Sequence, residues 1–309
     1  MRIELGDFGS IEKGRIMNRG RRKFIWQMLL FAGSLLRPRL SFPALSSPVS
    51  PSKGPEGIKE GLEGFLDEEP YYNIALLWFK KAATGSFKLT RQGEGYMAML
   101  EVETRGFIGF LTSYRHHIYR SHMNYHPDEG KLRVHLFERH VTIGKRVERT
   151  LTRLDNDLRV IEGRFFEQGE LVKVVNEPIP EGVDYEDILS AYYNVRLGGY
   201  GPLEEGRNFQ IRTIPSEGES LISVDIASRD ETINWRRKLK IATDEKVIAA
   251  TVRMPRKIFE SKTGEVQALF NEAIIPLEGV VKDYIGYGDM RCTLIEEKSP
   301  LDVPVIRRG

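Results

Sequence analysis

The sequence predicts a mainly β fold: a large antiparallel sheet, barrel-like or wrapped on itself, with one short helix. Three observations predict it. Short runs of alternating apolar and polar residues recur along the body, Gly, Pro, Asn and Asp separate them, and only one stretch repeats its apolar residues at helical spacing. Alternation at period two means strands with one buried face, and many such strands joined by turns form antiparallel meanders that curl or close. With 40% hydrophobic and 10% aromatic residues, the body has enough apolar surface for a real core.

The N-terminal 46 residues read as an extension carrying an export signal. Arg19, Arg21, Arg22 and Lys23 precede an uncharged, mostly apolar run from Phe24 to Leu36, and Ala44-Leu45-Ser46 offers small residues for a peptidase. That run is too short to cross a hydrocarbon core, which takes roughly 20 helical residues. Cleavage rather than anchoring is expected, leaving no stable membrane span. Met17 marks an alternative true start. Arg21-Arg22-Lys23-Phe24-Ile25 resembles a twin-arginine signal, so the general secretory and twin-arginine routes both stay open, and the expected location is periplasmic or exported.

Residues 47–70 contain Pro48, Pro51, Pro55 and Pro70 and read as a flexible linker before a single β-rich domain over 71–309. Strands are expected at 71–79, 85–90, 96–104, 131–141, 146–154, 158–166, 170–175, 209–214, 221–227, 235–241, 247–252, 266–270 and 292–296. In 131–141, Leu132, Val134 and Leu136 share one side. The helix is expected over Asp184–Val195, with Ile188, Leu189, Tyr192 and Val195 on one face and Asp184, Glu186 and Asp187 in its first turn, where the dipole favours acids. A second helical or looped stretch covers Phe107–Tyr114.

Charge and motifs exclude several function classes. The first 46 residues hold nine basic and three acidic side chains, so the remainder carries 37 basic against 41 acidic. A body of that sign has no basic footprint for nucleic acid. One Cys, Cys292, excludes an internal disulfide and any multi-Cys metal site. There is no Gly-x-Ser-x-Gly elbow, and Gly198-Gly199-Tyr200-Gly201 follows a helix, the wrong order for a dinucleotide loop.

Three stretches together resemble the bacterial family of unknown function numbered 3108. They are Tyr71–Ile74 running through Ala83–Phe87, Asp187-Ile188-Leu189-Ser190-Ala191-Tyr192-Tyr193-Asn194-Val195-Arg196, and Ile275-Pro276-Leu277-Glu278-Gly279. Ahead of the last, the family has an Asp-containing turn where this chain has Asn271-Glu272. The resemblance spans most of the body. It implies an exported, curved antiparallel sheet similar to the half-open barrels of lipoprotein carriers, and it carries over no catalytic residue.

All six His lie between positions 116 and 140. Pro127-Asp128-Glu129-Gly130 reads as a hairpin loop that pairs His126 with Lys131 and so sets His122 opposite His135 and His117 opposite His140. Directly paired Cβ atoms lie about 4.5–5.5 Å apart, close enough for two imidazoles to share zinc if a third ligand joins them. The bland alternative is half-exposed strand residues. For the aromatic and aliphatic side chains, the choice is between a filled interior and a cavity lined by Trp78, Phe87, Met99, Leu136 and Tyr192. The sequence therefore reads as a non-catalytic envelope protein holding a hydrophobic ligand, a lipid or acyl chain, or a partner protein. A metal-dependent hydrolase using His122 and His135 and an assembly scaffold without ligand are the competing readings.

Overall fold

A computed structural model describes residues 61–66, 68–216, 218–241, 246–284 and 288–298. The leader, the linker up to residue 60 and the C-terminal residues 299–309 lie outside the described residues. The folded body begins earlier than the linker assignment allows. Residues 61–66 make a helical turn whose Leu62 is fully buried, Leu66 bridges Leu89, and Phe65 packs 6.4 Å from the Tyr193 ring. Three apolar anchors in a Gly- and acid-rich stretch are enough to dock it.

Fourteen strands form one antiparallel sheet. The first run is β1 (Glu69–Leu76), β2 (Phe79–Gln92), β3 (Gly95–Thr104), β4 (Arg115–His126), β5 (Lys131–Ile143), β6 (Arg146–Asp155), β7 (Val160–Glu167) and β8 (Glu170–Pro178). The second is β9 (Asn208–Ser216), β10 (Glu219–Ile226), β11 (Ile248–Arg253), β12 (Glu265–Phe270), β13 (Pro276–Val281) and β14 (Met290–Lys298). Within each run every strand pairs with its sequence neighbour, and β1 also pairs with β14, which joins the two runs. The sheet is open: its edges are β8 and β9, in the middle of the chain. The expected antiparallel wrapped sheet is what forms.

Three helices accompany it among the described residues: α1 (Gly106–Leu111), in the stretch expected to be helical or looped, the expected α2 (Ile188–Arg196), and α3 (Arg229–Leu239), which was not expected. The strand expected at 235–241 is the end of α3. Ser228 and Glu231 form a reciprocal cap at its start, acids occupy its first turn, and Arg236, Arg237 and Lys238 occupy its last. These terminal signals override the short alternating run on its C-terminal side.

Helix α2 sits between the two runs. Leu189, Tyr193 and Leu197 enter the core of the first run with Leu89, Ala98, Met123 and Val134, while Ala191 joins Ile211, Ile222 and Val224 of the second. The helix starts later than the acids predict. Asp187 is its N-cap, accepting from the amides of Leu189 (2.7 Å) and Ser190 (3.2 Å), so no acid lies in the first turn. Glu186 is instead held extended along β9: its amide donates to the Arg212 carbonyl at 2.9 Å, and its carbonyl accepts from Ile214 at 3.0 Å.

Candidate functional site

The inner face of the sheet is set by strand alternation. Pairing of Leu89 with Ala98 and of Phe87 with Leu100 puts these residues on one side, and pairing of Ala98 with Ser121, Tyr96 with Met123 and Leu100 with Tyr119 carries that side across β4. Ala98, Ser121 and Met123 are fully buried there beneath α2.

Helix α2 is fixed over this face by its own side chains and its cap. The Asn194 amide donates to the Leu132 carbonyl and accepts from the Leu132 amide, both at 2.8 Å. The Ser121 hydroxyl donates to Asp187 at 2.5 Å, and the Asp187 amide donates to the Ser190 hydroxyl at 2.9 Å. Burial raises the Asp187 carboxyl above its ordinary range, while Ser121 and the helix amides oppose that rise. Asp187 does capping work, which accounts for it without chemistry.

Beyond α2 the inner face changes character. His117 stacks on Tyr119 with centroids 6.3 Å apart, and Tyr119 stacks on Phe137 at 6.2 Å, all three half-buried. Burial, reinforced by Arg139, depresses His117 to about 4, so it is neutral at pH 7. At the far end Arg115 binds Glu260 at 3.1 Å, which ties the loop between β11 and β12 to the start of β4. Burial and Glu260 push the neighbouring Tyr284 hydroxyl up to about 12. The inner face thus carries α2 at one end, the Arg115–Glu260 ion pair at the other, and the His117–Tyr119–Phe137 row with Arg139 between them.

No family model matches the chain, and no curated protein matches it. One solved structure similar to it is the beta-barrel-like protein of domain of unknown function DUF1849 from Brucella abortus, with 11% identity and a TM-score of 0.41 over 76% of this chain and 98% of that one.

Of the five residues expected to line a cavity, the fold brings two together inside. Phe87 stacks on Tyr72 at 5.6 Å and meets Tyr192 edge-on at 5.1 Å, and the Tyr192 hydroxyl donates to the Ile274 carbonyl at 3.1 Å. The other three are elsewhere. Met99 pairs with Lys88 and Arg120 on the outer side of β3. Trp78 is 77% exposed in the turn between β1 and β2. Leu136 is displaced by a bulge: the β4–β5 register slips between His122 and Met123, so Phe137 rather than Leu136 packs against the core.

The same bulge alters the His reading. His126 does pair with Lys131, but His122 faces Leu136 and His117 faces Val141 instead of His135 and His140. His122 and His135 still approach, at 6.3 Å between ring centroids, on the outer face. Glu138 lies 3.5 Å from His122 and also pairs with Arg149 at 3.3 Å. Among the described residues no group of three His, Cys, Asp or Glu is arranged to hold a metal ion. Cys292 faces inward on β14, paired with Ile74 and Gly279, and burial pushes its thiol up to about 12, far from a nucleophile's range.

Sequence reasoning missed a polar cleft of about 220 Å³ whose walls include Lys131, Arg133, Asp184, Glu186, Tyr200 and Arg212. Glu186 accepts from the Tyr200 hydroxyl, and Lys131 lies 4.0 Å from Glu186 and 3.9 Å above the Tyr200 ring. Burial raises both Glu186 and Tyr200, and Tyr200 and Lys131 hold the Glu186 shift in check. The cleft is smaller than the roughly 300 Å³ at which drug-sized pockets begin, and its walls are charged, which suits an acyl chain badly. Nothing in the sequence spacing of positions 131, 186 and 200 links them. Their meeting depends on where α2 docks.

Proposed function

We propose that this chain is an exported, non-catalytic binding protein of the bacterial envelope, and that the aromatic row on the inner face of its open sheet takes an apolar ligand, the acyl chain of a lipid. One observation carries the reading: the His117–Tyr119–Phe137 stack stays half-buried on a face whose other end is packed shut by α2. Half-covered rings gain roughly 25 cal/mol for each further Å² they bury, so an apolar chain laid along them is stabilised without any titrating group. The depressed His117 supports this, since a neutral imidazole adds no charge of its own beside Arg139. The leader-like sequence supports export.

The experiment is binding of a dansyl-labelled fatty acid by the wild type and by Tyr119→Asp and Phe137→Asp. The reading expects saturable enhancement in the wild type and its loss in both variants, with cooperative melting retained. Equal binding by all three would remove the aromatic row as the site.

A second reading, the assembly scaffold, is favoured by β8. This edge strand exposes Leu171, Val172 and Val174 beside an unpaired backbone, the arrangement to which a partner strand adds. Protein co-purifying with the wild type but not with Val172→Lys would favour the scaffold over the carrier.

A further inference from the structure

At the end of the sheet where β1 turns into β2, three segments expose large apolar side chains side by side. The two-residue turn contributes Leu77 and Trp78, α1 contributes Phe107, Phe110 and Leu111, and the turn after α1 contributes Tyr114; each is between 48% and 77% exposed. Ring contacts join the β1–β2 turn to α1. Trp78 lies 5.4 Å from Phe79, and Phe79 lies 5.7 Å from Phe107. Underneath, Ile108 anchors α1 on Leu76 and Ala82, so α1 presents its apolar residues from a fixed base.

Neither the turn residues nor their conformations are those that folding alone favours. Leu77 takes φ 57° at the first central position of the hairpin, where Gly or Asn folds at lower cost, and Ser113 and Tyr114 take φ 61° and 49° in succession. Soluble surfaces rarely gather so many large apolar groups without a use for them.

The charges around the patch say what covers it. Lys80 and Lys81 follow the Trp78–Phe79 pair directly, are exposed, and form no ion pair among the described residues. Lys145 stands in the adjoining β5–β6 turn, which is tied to the patch where the Gly144 amide donates to the Ser113 carbonyl at 2.6 Å, and it too is exposed and without an ion pair among the described residues. Trp, Tyr and Phe flanked by lysines that form no ion pair among the described residues match a bilayer interface, where aromatic rings sit at headgroup level and lysines meet anionic phosphates.

We infer that this rim docks on the surface of a membrane containing anionic lipid, inserting Trp78, Phe107 and Phe110 to headgroup depth while Lys80, Lys81 and Lys145 bind phosphate. The docking is peripheral: among the described residues no helix is long and apolar enough to cross a membrane. It holds whether or not the aromatic row binds lipid.

The test uses the full chain with Trp26→Phe and Trp235→Phe, so that Trp78 is the sole tryptophan reporter. On vesicles of phosphatidylglycerol and phosphatidylcholine, Trp78 emission shifts to the blue and is quenched by brominated acyl chains; on phosphatidylcholine alone, both changes weaken. Lys80→Gln with Lys81→Gln lowers partitioning about 25-fold, at about fivefold for each lysine, and raised salt does the same by screening. Phe107→Ser with Phe110→Ser lowers it with melting unchanged. Sedimentation with vesicles while Trp78 stays unquenched would place the contact elsewhere on the chain and overturn the inference. So would a Trp78 shift that grows with protein concentration in vesicle-free buffer, which would mean that a second copy covers the rim.

Discussion

The side-chain amide of Asn194 holds both backbone groups of Leu132, donating to its carbonyl and accepting from its amide at 2.8 Å each. Asn194 thereby acts as one residue of a missing neighbour strand. The β5–β6 ladder begins only at Leu136, so the start of β5 offers these groups to the helix. Asn194→Ala leaves two buried backbone groups without partners, at about 1–3 kcal/mol for the first and somewhat less for the pair's second member. Urea denaturation should show a loss of about 2–4 kcal/mol. A loss under about half a kcal/mol would mean that Asn194 does not hold α2 in place.

The bulge in the β4–β5 hairpin gives a paired prediction. Phe137→Ala removes a ring packed against the core and should cost about 2 kcal/mol, less than a fully buried Phe because it is half-covered. Leu136→Ala, on the outer side, should cost less than about 1 kcal/mol. Thermal melts of the two variants decide the register, and the reverse order would restore the unbulged pairing.

His117 sets a pH dependence whose sign follows from its depressed value. Above about 6.5 the imidazole is neutral folded and unfolded, and it contributes nothing to the slope. Between about 6.5 and about 4 the unfolded chain takes up a proton that the folded one refuses, so stability falls as pH falls and levels off below about 4. The contribution is on the order of 2 kcal/mol after allowing for partial exposure. His117→Gln should flatten this part of the stability curve, as read by urea midpoints across that range; an unchanged slope would assign the dependence to other groups.

Glu186 runs the other way. Its carboxyl is raised, so the folded chain holds the proton more tightly, and stability falls as pH rises from its unfolded range through its folded value. Glu186→Gln keeps an oxygen for the Tyr200 hydroxyl while removing the buried charge. Its melting temperature should be equal to or above that of the wild type at pH 8, with the gain vanishing at pH 4. A clear loss at pH 8 would show that pairing with Lys131 outweighs desolvation.

What the sequence displayed best was periodicity. Antiparallel strands, the hairpin at Pro127–Gly130 and the helix carrying Ile188 to Val195 are local patterns, and all form. The bulge is not local: it depends on how β4 and β5 sit against their neighbours, and one extra residue moved Leu136 out, Phe137 in, and His122 off its expected partner. Composition concealed Leu62 within a linker-like stretch, and a short alternating run concealed α3, although Ser228 and Glu231 were already spaced as a cap. β13, with Pro276 at its head and Gly279 within it, gave no strand signal. The cleft was illegible because it arises where segments far apart in sequence meet beside α2, and the His117–Tyr119–Phe137 row because it follows from the bulge.

The most direct test of the account is mass spectrometry of what organic solvent extracts from the full chain purified without an affinity tag, alongside metal analysis of the same sample. The account predicts a lipid or fatty acid near one per protein in the wild type and its depletion in Tyr119→Asp and Phe137→Asp. An extract free of lipid together with stoichiometric zinc would contradict it and move attention to His122 and His135.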